Sequence, residues 1–209
     1  MQSSTPSKPT PPPARKNPAD RRARPQFELP PTPVIVVGAI LLALVVMVGF
    51  AVYRTIDERN KAIQPIEGLE VFPNLSGGHT VEAVAYQQLP PPGGQHNPQW
   101  QNCGVYDQPI PDEYAVHSLE HGAVWITYLP NLATDQIQTL QALARQTGYR
   151  LLSPYPDQSS PIVVTAWGYQ LKLESANDER LLQFIRRYEQ NPLGPEPGAA
   201  CTGGSGRPK

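Results

Sequence analysis

The chain contains few of the residues from which metal clusters and disulfide scaffolds are built. Only two of its 209 residues are cysteine, too few for a disulfide-stabilised scaffold or a four-thiolate zinc or iron–sulfur site. Its two methionines, Met1 and Met47, both precede the folded domain predicted below. The absence of a thioether from that domain argues against a thioether Cu(I) site and against a blue-copper centre with an axial methionine.

Signals for nucleotide and nucleic-acid binding are also absent. The 17 lysines and arginines are balanced by 18 acidic residues, and a net charge of −1 gives no general attraction for nucleic acid. The sequence contains no G-x-G-x-x-G, Walker A or G-x-S-x-G motif. We therefore predict neither a nucleic-acid partner nor a nucleotide cofactor.

One long apolar segment, VIVVGAILLALVVMVGFAVY at residues 34–53, carries no charge. A helix of 20 residues is about 30 Å long, which is the thickness of the hydrocarbon core of a bilayer. The segment follows a 33-residue leader and ends at Tyr53-Arg54-Thr55, which is not the small-residue site of a cleaved signal peptide. A core helix is seldom apolar on every face in so small a protein. The sequence predicts a single transmembrane helix over residues 34–54.

The orientation of this helix is predicted from its flanking lysines and arginines, which are enriched on the cytoplasmic side. The leader carries six of them, whereas the other flank carries three, interspersed with Asp57 and Glu58. We therefore expect a single-pass protein of the cell membrane, with a cytoplasmic N-terminus and an exoplasmic C-terminal domain in the cell envelope.

The rest of the chain divides where its composition changes. Residues 1–33 hold ten of the 26 prolines and are predicted to be a disordered cytoplasmic leader, because they have too little apolar surface to offset the entropy of ordering. Residues 55–66 are predicted to be a linker, residues 67–201 a folded exoplasmic domain, and residues 202–209 a flexible tail.

The periodicity of residues 67–201 predicts a small α+β domain with a mixed sheet, whose β-α-β-β-α order is similar to a split βαβ arrangement. Helices are predicted over residues 135–147, capped by Thr134, and 178–190, capped by Asn177. The second helix is expected to bury Leu181, Leu182, Ile185 and Tyr188. The predicted strands are His79–Tyr86, Ala123–Leu129, Arg150–Ser153, Ile162–Trp167 and Tyr169–Leu173.

All four histidines lie in the first half of this domain, at His79, His96, His117 and His121. If residues 112–121 form a helix, begun after Pro111 and ended by Gly122, then His117 and His121 are four residues apart and can bind one metal ion from the same face. In a strand the same two rings would lie about 13 Å apart, too far to share one ion.

The sequence His117-Ser118-Leu119-Glu120-His121 also matches the H-x-x-E-H signature of the inverzincins. In those proteases two histidines bind zinc, and the glutamate is the general base that activates a zinc-bound water. Glu120 would be that base here, and Glu189 or Glu196 would have to supply the third ligand. A domain of about 135 residues cannot provide the chamber of such large proteases, so the match favours hydrolysis only weakly.

The two cysteines, Cys103 and Cys201, have two plausible roles. On the exoplasmic side a disulfide is permitted, and it would attach the Pro/Gly-rich segment before Cys201 to the loop that contains Cys103. Alternatively, Cys103 is a thiolate ligand or a nucleophile beside His117 or His121. We favour the disulfide and keep the second role as an alternative.

The segment CGVYDQPIPDEYAVHSLEHGAVWITYLP, with GGH at 77–79, GGQHNPQW at 93–100 and GPEPGAAC at 194–201, resembles the bacterial family called domain of unknown function 3105. The resemblance spans residues 66–201, and its most specific parts are C-G-V-Y-D and H-S-L-E-H-G. Similar proteins often carry an N-terminal membrane anchor. The family has no established activity, so the resemblance implies no function, but it marks the same histidine, glutamate and cysteine positions.

We predict that the domain binds a divalent metal, zinc or Cu(II). The expected ligands are His79, His96, His117 and His121, with Glu120 as a further ligand or as the partner that orients an imidazole. A site closed by four imidazoles favours a binding or structural role over catalysis, because catalytic zinc keeps an open position. The alternatives are a metal-free module that binds another envelope protein and, third, a zinc-dependent hydrolase.

Overall fold

The structure is a computed structural model, which describes residues 32–192 and 194–209 of the chain. The leader predicted over residues 1–33 lies almost entirely outside the described residues. The chain divides after Ala51 into two compact units. The first described element, helix α1, runs from Thr32 to Ile63.

Helix α1 contains a stretch that is long and apolar enough to cross a membrane, Val36–Asp57. Its 22 residues exceed the roughly 20 that span a bilayer, and the apolar side chains described there are exposed, as expected for a helix that faces lipid. The predicted span of residues 34–54 overlaps it closely. The helix continues into part of the segment that we predicted to be a linker.

The rest of the chain forms one mixed sheet of six strands with helices on both faces. The strands are β1 Glu70–Val71, β2 Gly104–Val105, β3 Val124–Tyr128, β4 Arg150–Pro154, β5 Ile162–Ala166 and β6 Tyr169–Leu173, and the helices are α2 Asp112–Glu120, α3 Thr134–Ala144 and α4 Glu179–Tyr188. Along the sheet the strands follow the order β1-β6-β5-β3-β4-β2. Strands β2, β4 and β3 are parallel, whereas β5 runs antiparallel to β3, β6 to β5 and β1 to β6.

The alternation of side chains along the strands divides the core between the two faces of the sheet. On β3, Val124 and Ile126 belong to the larger cluster, which α3 and α4 cover, whereas Trp125 belongs to a smaller cluster with Ala115 and Leu119 of α2. Helix α2 is therefore packed against the opposite face from α3 and α4. It follows that α2, with its two histidines and its glutamate, is held by a core of its own.

The α+β class and the mixed sheet are confirmed, but several local predictions are wrong. Strands β3 and β4 are direct neighbours, so the βαβ unit is not split. Helix α3 begins at Thr134, after a non-capping Ala133, and ends at Ala144. The predicted strand at His79–Tyr86 reduces to one isolated bridge between His79 and His96. Val81 is 79% exposed, and prolines 90–92 have no N–H with which to extend a ladder.

The C-terminal residues that we expected to be flexible are held against the domain. The backbone N–H of Lys209 donates to Val105 at 2.9 Å, and that of Ser205 donates to Trp100 at 2.8 Å. The Asn102 side chain also donates to the Gly206 carbonyl at 2.8 Å. Residues 202–209 thus lie along the segment that leads into edge strand β2, and they satisfy backbone groups that the sheet leaves unpaired.

Candidate metal centre

Four potential ligands converge at one end of helix α2. One ligand atom from each of His79, His96, His117 and Glu120 lies within 4.8 Å of all the others. The three histidine rings are mutually in contact, with centroid separations of 4.8 to 4.9 Å. Three imidazoles and a carboxylate are a ligand set that suits zinc or Cu(II).

Helix α2 supplies two of these side chains because the sequence fixes where it starts and stops. Pro111 precedes it in an extended conformation, and Gly122 follows it with a φ of +93°, a backbone conformation that favours glycine. His117 and Glu120 are three residues apart and therefore lie on the same face of the helix. The helical interpretation of residues 112–121 is confirmed, and the strand alternative is wrong.

Two loops bring His79 and His96 to that face. The backbone N–H of His96 donates to Gly78 at 3.0 Å, and that of Thr80 donates to His96 at 2.7 Å, which forms the isolated bridge. The loop passes close to the site, because a Cβ on Gly77 would lie 3.0 Å from the Glu120 carboxylate, a tight contact. His79 remains half-exposed, at 47% of its side chain, whereas the other three ligand candidates are buried.

Backbone carbonyls orient the buried rings. His96 Nδ1 donates to the Gly94 carbonyl at 2.8 Å, and His117 Nδ1 donates to Asn97 at 2.6 Å. A carbonyl can only accept, so Nδ1 carries the proton in both rings and Nε2 of the neutral ring presents a lone pair. This is the arrangement by which proteins usually orient a metal-binding histidine.

Burial favours the uncharged forms of these groups. Desolvation lowers the pKa of His96 and of His117, and in both cases neighbouring histidines lower it further. Desolvation raises the pKa of Glu120, and the nearby Glu196 adds to that effect. Neutral imidazoles retain the Nε2 lone pair that a metal ion needs.

The pair formed by His96 and Glu120 is electrostatically incomplete. His96 Nε2 and Glu120 Oε2 are 2.7 Å apart, yet neither of these buried atoms has a hydrogen-bond partner. Because Nδ1 carries the proton of the neutral ring, two lone pairs face each other across this distance. Either a metal ion or a proton on Glu120 must lie between them, since two buried acceptors in contact are unfavourable.

His121 lies beside this group but does not converge on it. Its ring contacts that of His117 at 4.6 Å, its Nδ1 donates to the Ala200 carbonyl at 2.7 Å, and its Nε2 lies 3.8 Å from Glu196 Oε2. The two histidines four residues apart therefore have different surroundings. Glu189, the other acidic residue considered as a distant ligand, pairs instead with Arg150 at 2.8 Å.

Cys103 and Cys201 form a disulfide in the structure. The backbone N–H of Cys103 also donates to the Cys201 carbonyl at 2.7 Å. The alternative role of Cys103 as a thiolate ligand is therefore not the one that the structure adopts. The disulfide instead fixes the segment whose Ala200 carbonyl orients His121.

Several residues around the site were not identified from the sequence. The carbonyls of Gly94, Asn97 and Ala200 orient three rings, but a backbone carbonyl leaves no signal in a residue pattern. Trp100 packs against His117 and His121 at centroid distances of 5.8 and 5.1 Å. Its position four residues after His96 was the available signal.

Comparison with known proteins identifies the domain. Residues 79–203 match the family described as "Protein of unknown function (DUF3105)", which is more than half of the chain. The chain belongs to the DUF3105 family. No curated protein and no solved structure matches this chain significantly. The matched part of this DUF3105 protein includes all four histidines, Glu120 and both cysteines, so the candidate centre lies wholly within the family domain.

Proposed function

We propose that the DUF3105 domain binds one divalent metal ion, zinc or Cu(II), through His79, His96, His117 and Glu120. The observation that carries the proposal is the convergence of these four ligand atoms within 4.8 Å. Its support is the buried contact between His96 Nε2 and Glu120 Oε2, two unpartnered atoms that a metal ion would bind together.

A binding or structural role fits this site better than catalysis. Four protein ligands would complete a tetrahedral zinc site and leave no position for a substrate water. In the inverzincin pattern both histidines bind the metal and the glutamate stays free as a base. Here Glu120 lies among the ligand atoms, whereas His121 is directed to Glu196. We therefore rank a hydrolase below a metal-binding module.

Elemental analysis of the full-length protein tests the proposal. The chain would be purified in detergent without a polyhistidine tag, alongside His117→Asn and His121→Asn. In each variant the asparagine amide can replace the Nδ1 donor while Nε2 is lost. We expect about one zinc or copper ion in the wild type and in His121→Asn, and none in His117→Asn. Metal removal should also lower the melting temperature, because the ion binds only the folded chain.

Three other outcomes would change the conclusion. Loss of metal from both variants would restore the H-x-x-E-H interpretation, with His117 and His121 as ligands. Retention of metal by His117→Asn would place the site elsewhere. Absence of metal from the wild type, with none taken up on titration, would favour the metal-free module that binds an envelope protein.

We also propose that this domain lies on the exoplasmic side of the membrane, anchored by α1. The support is the excess of lysine and arginine before the helix and the disulfide after it, since disulfides persist in oxidising compartments. Alkaline phosphatase fused after Lys209 should be active, because that reporter folds only outside the cytoplasm. An inactive fusion with normal expression would mean the opposite orientation.

A further inference from the structure

A cavity of about 720 Å³ lies beside the candidate metal centre and is not part of it. It is open to solvent on one side and is lined by three loops, residues 72–76, 84–88 and 92–95. None of the four converging ligand candidates lines it. Its size is within the range of 300–1,000 Å³ that is usual for small-molecule sites.

Hydrogen bonds to the sheet and its turn hold all three loops in place. Gly168, in the turn between β5 and β6, accepts from the backbone N–H of Phe72 and donates to the Pro92 carbonyl, each at 2.8 Å. The fully buried Gln170 donates to Pro90 at 2.8 Å and accepts from Gln88 at 2.7 Å. The cavity is therefore pre-formed, and a ligand would not have to order these loops on binding.

The lining combines polar and apolar groups and carries no formal charge. Amide or hydroxyl side chains contribute to each of the three loops, and none of the lining residues is Asp, Glu, Lys, Arg or His. Two aromatic residues, Phe72 and Tyr86, also line it, and the Tyr86 hydroxyl donates to the Gln95 carbonyl at 2.7 Å. The polar lining residues are Asn74, Ser76, Tyr86, Gln87, Gln88 and Gln95.

The surroundings disfavour an anionic ligand. Glu113 accepts a hydrogen bond from the backbone N–H of Val84, one of the lining residues, at 3.1 Å. Burial raises the pKa of Tyr86, and the negative charges of Glu113 and Asp112 raise it further. A phosphate or carboxylate would therefore meet a negative potential without a lysine or arginine in the lining to offset it.

We propose that this cavity binds a neutral, hydroxyl-rich ligand, a short saccharide. Amide side chains can donate to and accept from sugar hydroxyls, and the C–H faces of a sugar ring can pack against Phe72 and Tyr86. A lining that includes amide side chains and aromatic surface and carries no formal charge fits this chemistry better than that of a nucleotide or an organic acid. The proposal uses no metal ligand and does not depend on the metal proposal.

Ligand-observed NMR on the full-length protein tests this proposal. The probes would be maltotriose, cellotriose and chitotriose, with glucose 6-phosphate and choline as charged competitors. The detergent should be a polyoxyethylene ether, because a maltoside carries a sugar headgroup that would itself compete. We expect at least one trisaccharide to bind, and neither charged compound to displace it.

Two variants localise that binding to the cavity. Gln87→Ala, at an exposed lining position, should weaken the trisaccharide about fivefold, the usual effect of one lost hydrogen bond. Phe72→Ala should weaken it about tenfold or more, and Gln138→Ala, exposed on α3, is the matched control. If Phe72→Ala does not fold, Gln87→Ala decides the question alone.

The outcomes separate this proposal from the metal site. Binding that is weakened in Gln87→Ala, with unchanged metal content, supports the saccharide site. No binding of any trisaccharide, binding of choline alone, or equal affinity in Gln87→Ala and Gln138→Ala would overturn it. Loss of metal in His117→Asn has no bearing on it, because His117 does not line the cavity.

Discussion

Three buried histidines of this domain share one local arrangement, in which Nδ1 donates to a backbone carbonyl. His96, His117 and His121 do so at distances of 2.6 to 2.8 Å. Only the first two direct Nε2 to the group that contains Glu120. The difference follows from the acceptor, since the His121 ring bonds to Ala200 in the C-terminal segment and its Nε2 lies 3.8 Å from Glu196 Oε2.

Glu120→Gln should separate metal binding from folding. The variant removes the carboxylate, so metal affinity should fall at least tenfold, the lower limit for the loss of a partner in a metal site. The metal-free variant should melt higher than the metal-free wild type, because a neutral amide is less costly to bury and its NH₂ can donate to His96 Nε2.

Calorimetry with and without a chelator measures both effects. Glu196→Gln is the matched control, because that carboxylate is largely exposed and is not one of the four converging groups. A Glu120→Gln variant that bound metal as tightly as the wild type would remove Glu120 from the ligand set.

Asp112 should make the domain less stable as the pH rises. Burial raises its pKa to about 6, against about 3.9 in an unfolded chain, so the folded state holds the proton more tightly. Below pH 4 the carboxyl group is protonated in both states and contributes nothing. Between pH 4 and pH 6 the unfolded state releases the proton first, which lowers the free energy of unfolding. This decrease in stability is complete above pH 6.

Asp112→Asn should remove this pH-dependent contribution, because an amide does not titrate in this range. The amide oxygen can still accept from the Tyr155 hydroxyl, which lies 2.9 Å from the Asp112 carboxylate. The difference in melting temperature between this variant and the wild type should therefore grow between pH 4 and pH 7. Asp135→Asn, at an exposed position on α3, should show no such trend. A constant difference at Asp112 would contradict the argument.

At the scale of elements, the end of helix α2 determines where the metal ligands lie. The segment after α4 covers that end, because the N–H of Glu196 donates to the Glu120 carbonyl at 3.1 Å and that of Gly198 to His121 at 3.0 Å. These bonds satisfy carbonyls that a helix leaves unpaired at its C-terminus. The C-terminal segment therefore stabilises the helix as well as carrying Cys201.

Gly122→Ala tests how strictly this helix end is specified. An added Cβ would lie 3.0 Å from the Gln190 backbone, and the φ of +93° is unfavourable for alanine. We expect a loss of about 1–3 kcal/mol in the free energy of unfolding. Gly148→Ala, where the added atom meets nothing within 4 Å, is the control and should change stability little. Equal effects in the two variants would show that Gly122 is not constrained.

Helix α4 shows how far periodicity determines an element. The helix was predicted at nearly its observed position, but its cap is Asp178, which accepts from the Arg180 N–H at 2.9 Å. Leu182 is 44% exposed, whereas Phe184 is fully buried. Our prediction chose Leu182 because it is apolar, although its neighbour Leu181 defines the face that repeats at positions 184, 185 and 188.

At the scale of the whole molecule, the disulfide joins residues 98 positions apart. Replacing both cysteines by serine should lower the free energy of unfolding by about 3–5 kcal/mol, because the cross-link restricts the unfolded chain. A reductant should lower the stability of the wild type by a similar amount and leave the double variant unchanged. Wild-type stability that a reductant does not alter under unfolding conditions would contradict this expectation.

The sequence alone determined the apolar helix, the α+β class and most strands, because each depends on the spacing of neighbouring side chains. It left helix and strand as alternatives for residues 112–121. Only the tertiary structure decided which ligands meet. His79 and His96 are brought to His117 and Glu120 by loops of proline and glycine, whose path is set by hydrogen bonds to distant backbone groups. The His121 ring is oriented by a hydrogen bond from its Nδ1 to a carbonyl 79 residues away. Such contacts join positions far apart in the chain and leave no periodic signal in it.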